Sequence, residues 1–333
     1  MNARERVLRT IEFREPDRLA ASFPPPHWND LANTGYELQG YQPVWRSVGG
    51  DRQEYVDEWG NTWARVDKTS KGEVARGVLE SWDGLDGLAL PDLANPANYA
   101  PVRRAVAANT DRFCIGHLPG FPFNIARKMR RLDHFMMDLL LEPDKVSALL
   151  GRIEALLAEA IIAYADCGVD AVMFPEDWGT QTGLMIRPAT WRALFKPGFE
   201  RLCAMAHERR VKVLMHSCGK ITDIIPDLIE AGIDALQFDQ PRLHGIEVLA
   251  RFHGQIAFWC PVDIQKTLQS GDAAAIEDEA RELIAHLGGP EGGFIGGYYT
   301  DNASIGLDPR WQEIACQAFM RYGDYRRIPQ PTE

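Results

Sequence analysis

The chain has 333 residues, and 36 Lys and Arg against 47 Asp and Glu give a formal net charge of −11. Hydrophobic residues make up 45%, enough for a large core and too many for wholesale disorder. The acidic balance, without a Lys/Arg cluster, argues against nucleic acid or an anionic membrane as the main partner. Met1-Asn2-Ala3-Arg4-Glu5-Arg6 lacks the apolar stretch of a secretory signal, and no apolar run approaches the roughly 18 residues needed to span a bilayer. The expectation is a soluble, cytoplasmic protein.

An N-terminal helix carrying Val7, Leu8 and Ile11 leads to a first strand-like run, Leu19 to Phe23. Residues 24–101, rich in Trp, Gly and Asp, read as an irregular or hairpin-rich insertion. Arg112 to Gly116 is the next strand, followed by a long helix from Asp144 to Ala165 with Pro143 at its first turn. Ala171-Val172-Met173-Phe174 is a compact apolar strand, and the helical stretch from Pro188 to Arg210 should break near Phe195-Lys196-Pro197. Val211 to Met215 is a strand, and Ile221 to Ala231 an amphipathic helix closed by Gly232. Ala235 to Phe238, Ile256 to Trp259 and Phe294-Ile295 continue the strands. Helices intervene through Val248-Leu249 and over Ala273 to Leu287, and a last helix opens at Pro309.

Short, doubly buried strands alternating with helices signal a parallel sheet. Seven strands are visible, one short of a closed eight, and the stretch Tyr55 to Leu90 is where the missing one is expected. A doubly wound open sheet lacks the G-x-G-x-x-G that a dinucleotide fold would carry. The reading is a single α/β (β/α)8 TIM barrel spanning residues 1–333, with residues 24–101 as its N-terminal elaboration.

In such a barrel the chemistry gathers at the C-terminal ends of the strands. Successive strand ends here carry Glu176, Asp177, Trp178 and Gln181; His216, Ser217 and Cys218; Asp239 and Gln240; Cys260 and Gln265; then Tyr298, Tyr299 and Asp301. In His216-Ser217-Cys218 the imidazole and thiol are two residues apart, so on an extended chain both point to the same side. Both suit Zn2+, and Gly219 permits a tight turn directly afterwards. An isolated H-x-C is more often structural than ligating. Its place at a strand end, with Cys260 two strand ends further on, adds weight to the metal reading and leaves the structural one open. Cys114, Cys167, Cys203 and Cys316 are read as packing residues. Glu176 could complete the ligand set or move a proton, and Asp177 could cap its loop or act as an acid or base. Trp178, with Trp28, Trp59, Trp63 and Trp259, could wall an aromatic ligand pocket, although each alone reads as core or lid packing. His27 and His117 also lie near early strand ends.

Arg4-Glu5-Arg6-Val7-Leu8 leading to Glu15-Pro16-Asp17-Arg18 resembles the N-terminus of the uroporphyrinogen decarboxylase superfamily. Asp57-Glu58-Trp59-Gly60, Glu176 to Gln181, His216 to Lys220, Ile224 to Asp234 and Pro261 to Gln265 follow the same pattern in the same order. The resemblance implies one (β/α)8 barrel and commonly a homodimer. It also implies one of two chemistries. True uroporphyrinogen decarboxylases hold tetrapyrrole carboxylates with an N-terminal R-Q-A-G-R segment, whose spacing Arg4, Arg6, Arg9 and Arg14 do not reproduce. The other branch is similar to cobalamin-dependent methyltransferases, whose H-x-C zinc pair His216 and Cys218 match. The usual third thiolate of that branch follows the last strand, where this chain reads Gly297-Tyr298-Tyr299-Thr300-Asp301-Asn302, leaving Cys260 as the available replacement.

The expectation is therefore a zinc-dependent methyltransferase-like enzyme acting on a small-molecule substrate, with a corrinoid or corrinoid protein as methyl partner. His216, Cys218 and Cys260 would hold the metal, and Glu176, Asp177 and Asp301 would serve catalysis. Trp178, Gln181, Asp239, Gln240, Gln265, Tyr298 and Tyr299 would shape the substrate site. The alternatives are a cofactor-independent decarboxylase or lyase on a carboxylated aromatic or tetrapyrrole-like substrate, and a non-catalytic binder of metal or corrinoid.

Overall fold

The computed structural model describes residues 1–67 and 70–325. In chain order its strands are β1 (Ala20–Ala21), β2 (Leu31–Gly35), β3 (Arg46–Gly49), β4 (Arg52–Val56), β5 (Thr62–Arg65) and β6 (Glu73–Arg76). They continue with β7 (Phe113–His117), β8 (Ala171–Pro175), β9 (Lys212–His216), β10 (Ala235–Gln237), β11 (Ala257–Cys260) and β12 (Phe294–Gly296). Eight of them form one parallel sheet in the order β1-β12-β11-β10-β9-β8-β7-β2, and β3 to β6 form a separate antiparallel sheet. The fold is the α/β TIM barrel, with the antiparallel sheet as an addition near its N-terminus.

Each central strand is buried on both faces, and its residues alternate between two cores. Val172, Phe174, Val213, Met215, Leu236 and Phe258 pack outward against helices. Ala171, Met173, Leu214, Ala235, Ala257, Trp259 and Ile295 fill the barrel interior. The amphipathic helix Ala3–Ile11 seals the bottom, with Val7 and Ile11 joining the interior cluster. Arg4 N–H donates to Asp111 O at 2.8 Å, and Gly293 N–H to Thr10 O at 2.8 Å, so the helix is fastened where β7 and β12 begin. Asn2 caps it by accepting from Glu5 N–H.

The helix pattern follows the sequence reading closely. Pro143–Asp166 is one long helix, and the stretch after β8 divides at Phe195 into Pro188–Leu194 and Lys196–Glu208. Pro197 tolerates only the first turn of the second piece. Ile225–Ala231 ends at Gly232, whose φ of 99° supplies the left-handed cap.

The eighth strand is not in residues 55–90 as the sequence suggested. It is β2, Leu31-Ala32-Asn33-Thr34-Gly35, paired in parallel with β7 from Leu31 opposite Phe113 to Gly35 opposite His117. Its two apolar residues are too few for a periodicity signal, and its upper half is polar because it opens on the barrel mouth. Residues 55–90 instead contribute to the antiparallel sheet, where Tyr55 sits opposite Trp63.

The barrel closes between β1 and β2 through one carboxylate. These strands share no regular ladder; Asp30 N–H donates to Ala21 O at 2.8 Å, and Ala21 N–H donates to Asp30 Oδ2 at 3.0 Å. Asp30 is 1% exposed and also receives Arg6 at 2.7 Å and Arg18 at 2.9 Å. Arg6 is held in turn by Asp17 at 2.6 Å. The ion pairs thereby tie the bottom helix to the seam. Among the described residues no helix is long and apolar enough to cross a membrane.

Removing Asp30 leaves two guanidinium groups facing a dry seam, the costly way to break a buried ion pair. Asp30→Ala is expected to lower unfolding free energy by roughly 3–5 kcal/mol, read as a fall in the urea midpoint. An unchanged midpoint would show that the seam does not depend on this carboxylate.

Candidate metal centre at the barrel mouth

Strand parity separates the two acids that follow β8. Val172 and Phe174 face the helices, and Glu176 continues outward with them. It is fully buried and accepts the backbone N–H groups of Phe121, Phe123 and Asn124 at 3.2, 2.9 and 2.9 Å. These are donors at the start of the helix Pro122–Met129, whose first residue is a proline and whose own cap position, Phe121, offers no acceptor. Burial pushes the Glu176 carboxyl up to about 8, against the opposing pull of those N–H groups. The sequence expectation of Glu176 as a fourth ligand or proton-transfer group is thus corrected. Its oxygens are taken up in capping a helix behind the strand.

Asp177 turns the other way. Its Oδ1 accepts Cys218 N–H at 2.9 Å and lies 3.9 Å from His216 Nε2, while Arg127 of the capped helix holds Oδ2 at 3.4 Å. His216 Nε2 is 3.3 Å from Cys218 Sγ. One ligand atom from each of Asp177, His216 and Cys218 falls within 4.8 Å of the others. This oxygen, nitrogen and sulfur set has the type and number of donors that a catalytic zinc site uses with one position open.

The second nitrogen of His216 is also settled. Nδ1 is hydrogen-bonded to Gln237 Oε1, and Gln237 Nε2 donates to Asp239 Oδ1 at 2.8 Å. An amide oxygen only accepts, so Nδ1 carries a proton and Nε2 is the nitrogen left facing the cluster. Desolvation, then the Asp177 and Asp239 carboxylates, push the Cys218 thiol up to about 12. Two acids beside a thiol oppose its ionisation, and a cation among the three groups would reverse that balance.

The loops carrying these ligands touch backbone to backbone. A Cβ on Gly179 would lie 2.4 Å from Gly219 C, and one on Gly219 would lie 2.2 Å from Gly179 C. Gly219 also has a φ of 74°, which disfavours any side chain.

Cys260, expected as the third ligand, is elsewhere. It shares the outward face of β11 with Phe258, is 0% exposed, and stands outside the Asp177–His216–Cys218 group. Parity is the reason: on that strand it is Trp259, one residue earlier, that faces inward, where it donates to Ser22 Oγ at 3.1 Å. Among the described residues it is Asp177, not Cys260, that is grouped with His216 and Cys218.

Among the expected substrate-site residues, Asp239, Gln240, Gln265 and Tyr299 line a cavity of about 360 Å³ together with His216 and Cys218. Trp178 does not. It is 0% exposed and stacks on Phe123 at 4.0 Å, with Phe195 edge-on at 4.7 Å, so it is core. Gln181 is exposed and outside this lining; Tyr298 is also outside it but half-buried, and its hydroxyl accepts from Asn302 at 3.3 Å. Asp301 faces Lys71 at 3.6 Å rather than the cavity. Sequence reasoning passed over Gln237 and Arg127. Gln237 had a signal, being a polar residue on the inward parity of an otherwise apolar strand; Arg127 had none.

Replacing Glu176 with Ala leaves three helix N–H groups without their acceptor. The expected loss is about 3 kcal/mol of stability, with Glu176→Gln intermediate because it keeps one carbonyl oxygen. Thermal or urea unfolding reads this, and equal stability of all three proteins would sink the capping role.

A family model for uroporphyrinogen decarboxylase (URO-D) matches residues 66–298. A sequence comparison with curated proteins gives no match. Among solved structures, a methyltransferase from Methanosarcina mazei has a TM-score of 0.68 at 13% identity, covering 97% of this chain and 99% of its own. A B12-independent methionine synthase from Shewanella sp. W3-18-1 has a TM-score of 0.44 at 16% identity, covering 69% of this chain and 66% of its own. The first likeness is one of fold, over nearly the whole of both chains. With more than half of its length matched by the family model, the chain belongs to the uroporphyrinogen decarboxylase family.

Proposed function

We propose that the chain is a zinc-dependent methyltransferase-like enzyme with Asp177, His216 and Cys218 as its metal ligands. The observation that carries this is the convergence of those three donors within 4.8 Å, with His216 Nε2 freed for ligation. Bound there, zinc would supply Lewis-acid chemistry toward a thiol, hydroxyl or other coordinating group of the substrate. Gln237 and Asp239 hold the His216 ring and its tautomer. Arg127 turns Asp177 toward Cys218 rather than toward solvent. Gln240, Gln265 and Tyr299 line the adjoining cavity, where the small substrate would lie.

A corrinoid, free or on a partner protein, is the methyl partner that the H-x-C resemblance suggests. The full-length fold likeness to a methyltransferase from Methanosarcina mazei supports methyl transfer in general. The decarboxylase reading has less support. Among the described residues no Lys or Arg lines the cavity beside His216 or the larger one over β2 and β7, whereas a polycarboxylate needs cationic partners.

Purified protein equilibrated with Zn2+ and then desalted is expected to hold about one ion per chain, and Cys260→Ala should hold the same. Cys218→Ala and Asp177→Ala should lose it while remaining folded. Loss in the Cys260 variant, or a folded native chain that takes up no metal, would overturn the ligand set. Methylcobalamin added to the zinc form, followed by its visible spectrum, tests the transfer itself.

The hydrogen bond from Gln237 gives a separate expectation. Gln237→Leu should weaken zinc affinity by about 10- to 100-fold, the usual cost of losing the partner of a ligating histidine. A competitive chelator titration measures this, and unchanged affinity would mean that the tautomer is set without Gln237.

A further inference from the structure

Across the barrel mouth from the His216–Cys218 cavity lies a larger one, of about 1120 Å³, over the ends of β2 and β7. Its wall is the segment Gly35–Pro43 together with Glu58 and His117–Pro119. Three features define its chemistry. Tyr36 and Tyr41 supply aromatic surface, and Tyr41 is pinned by donating to Val56 O at 3.0 Å, two residues before Glu58. Glu58 is partly buried, and among the described residues no Lys, Arg or His lies within ion-pair distance of it. Finally, among the described residues the lining contains no Lys or Arg.

Lys128 bears on Glu58 electrostatically, but its ammonium sits 5.6 Å from the Trp63 ring centroid. Asp57 adds a second negative charge nearby, though it is committed to Asn61 at 3.0 Å and Trp63 at 2.7 Å. Burial raises the Glu58 carboxyl, against hydrogen bonds from its own backbone and from Trp59, and lowers His117, whose ring lies beside Asn33 at 2.9 Å. Glu37 contributes a further, exposed carboxylate at the rim.

We infer that this cavity binds a ligand through an alkylammonium group, with Glu58 as its counter-ion and Tyr36 and Tyr41 as its walls. Aromatic faces attract such cations through the ring quadrupole, and one unpaired carboxylate supplies the charge. An anionic ligand would meet Glu58 and Glu37 with no Lys or Arg among the described lining residues to offset them. The inference deepens the proposed function by giving the class of molecule presented at the mouth, and it rests on that reading for reaction though not for binding.

The test uses choline and its neutral isostere 3,3-dimethylbutan-1-ol, titrated calorimetrically into the full chain at neutral pH. Choline is expected to bind at least about tenfold more tightly than the isostere, the equivalent of 1.4 kcal/mol. Glu58→Gln, checked for an unchanged melting temperature, should erase that preference, and Tyr41→Leu should weaken choline alone. Equal binding of the two probes, no binding of either, or an unaltered preference in Glu58→Gln would each overturn the inference. Cys218→Ala separates the two proposals. It should lose zinc and keep choline binding, so failure of the metal reading leaves this result intact, and the converse also holds.

Discussion

The mouth of this barrel depends on a carboxylate that never reaches it. Glu176 receives three N–H groups at the start of the helix Pro122–Met129, fixing that helix against the end of β8. The same helix carries Arg127, which sets Asp177, and Asp177 in turn takes the Cys218 N–H. A chain of three contacts thus runs from a helix dipole behind the sheet to the donor cluster in front of it. Adjacent acids in the sequence divide the labour because they leave the strand on opposite faces: one supports and the other is presented.

Much of the architecture was legible in the sequence because doubly buried strands are apolar and compact. Ala171–Phe174, Val211–Met215 and Ile256–Trp259 have few other readings. The strand that escaped, Leu31–Gly35, is half polar, since its upper residues open on the mouth. Short functional strands lose the pattern that would reveal them.

The site was legible where chemistry and spacing coincided. His216 and Cys218 share a face by their separation of two, and the fold places them 3.3 Å apart. Cys260 and Glu176 show the limit of that reasoning. Each has the right residue type at the right strand end, but facing is decided by a one-residue phase that the sequence leaves open. Trp178 failed for a related reason. A large aromatic side chain at a strand end serves a core as readily as a pocket, and here it stacks among Phe123, Phe195 and Trp191. Gln237 illustrates the opposite error, a residue passed over because a single amide in a strand has no motif.

The contact between Gly179 and Gly219 bears on how the centre responds to its surroundings. Two loops whose backbones meet without intervening side chains have no slack between them, so Asp177 and Cys218 are held in register by the fold itself. Were the proposed metal to bind there, little ordering would remain to be done, and nearly all of its binding free energy would be available to shift the folding equilibrium. The ion and the barrel would then share one stability. On that proposal, a cell that withholds the metal would weaken the whole chain, and one that supplies it would lengthen the chain's life.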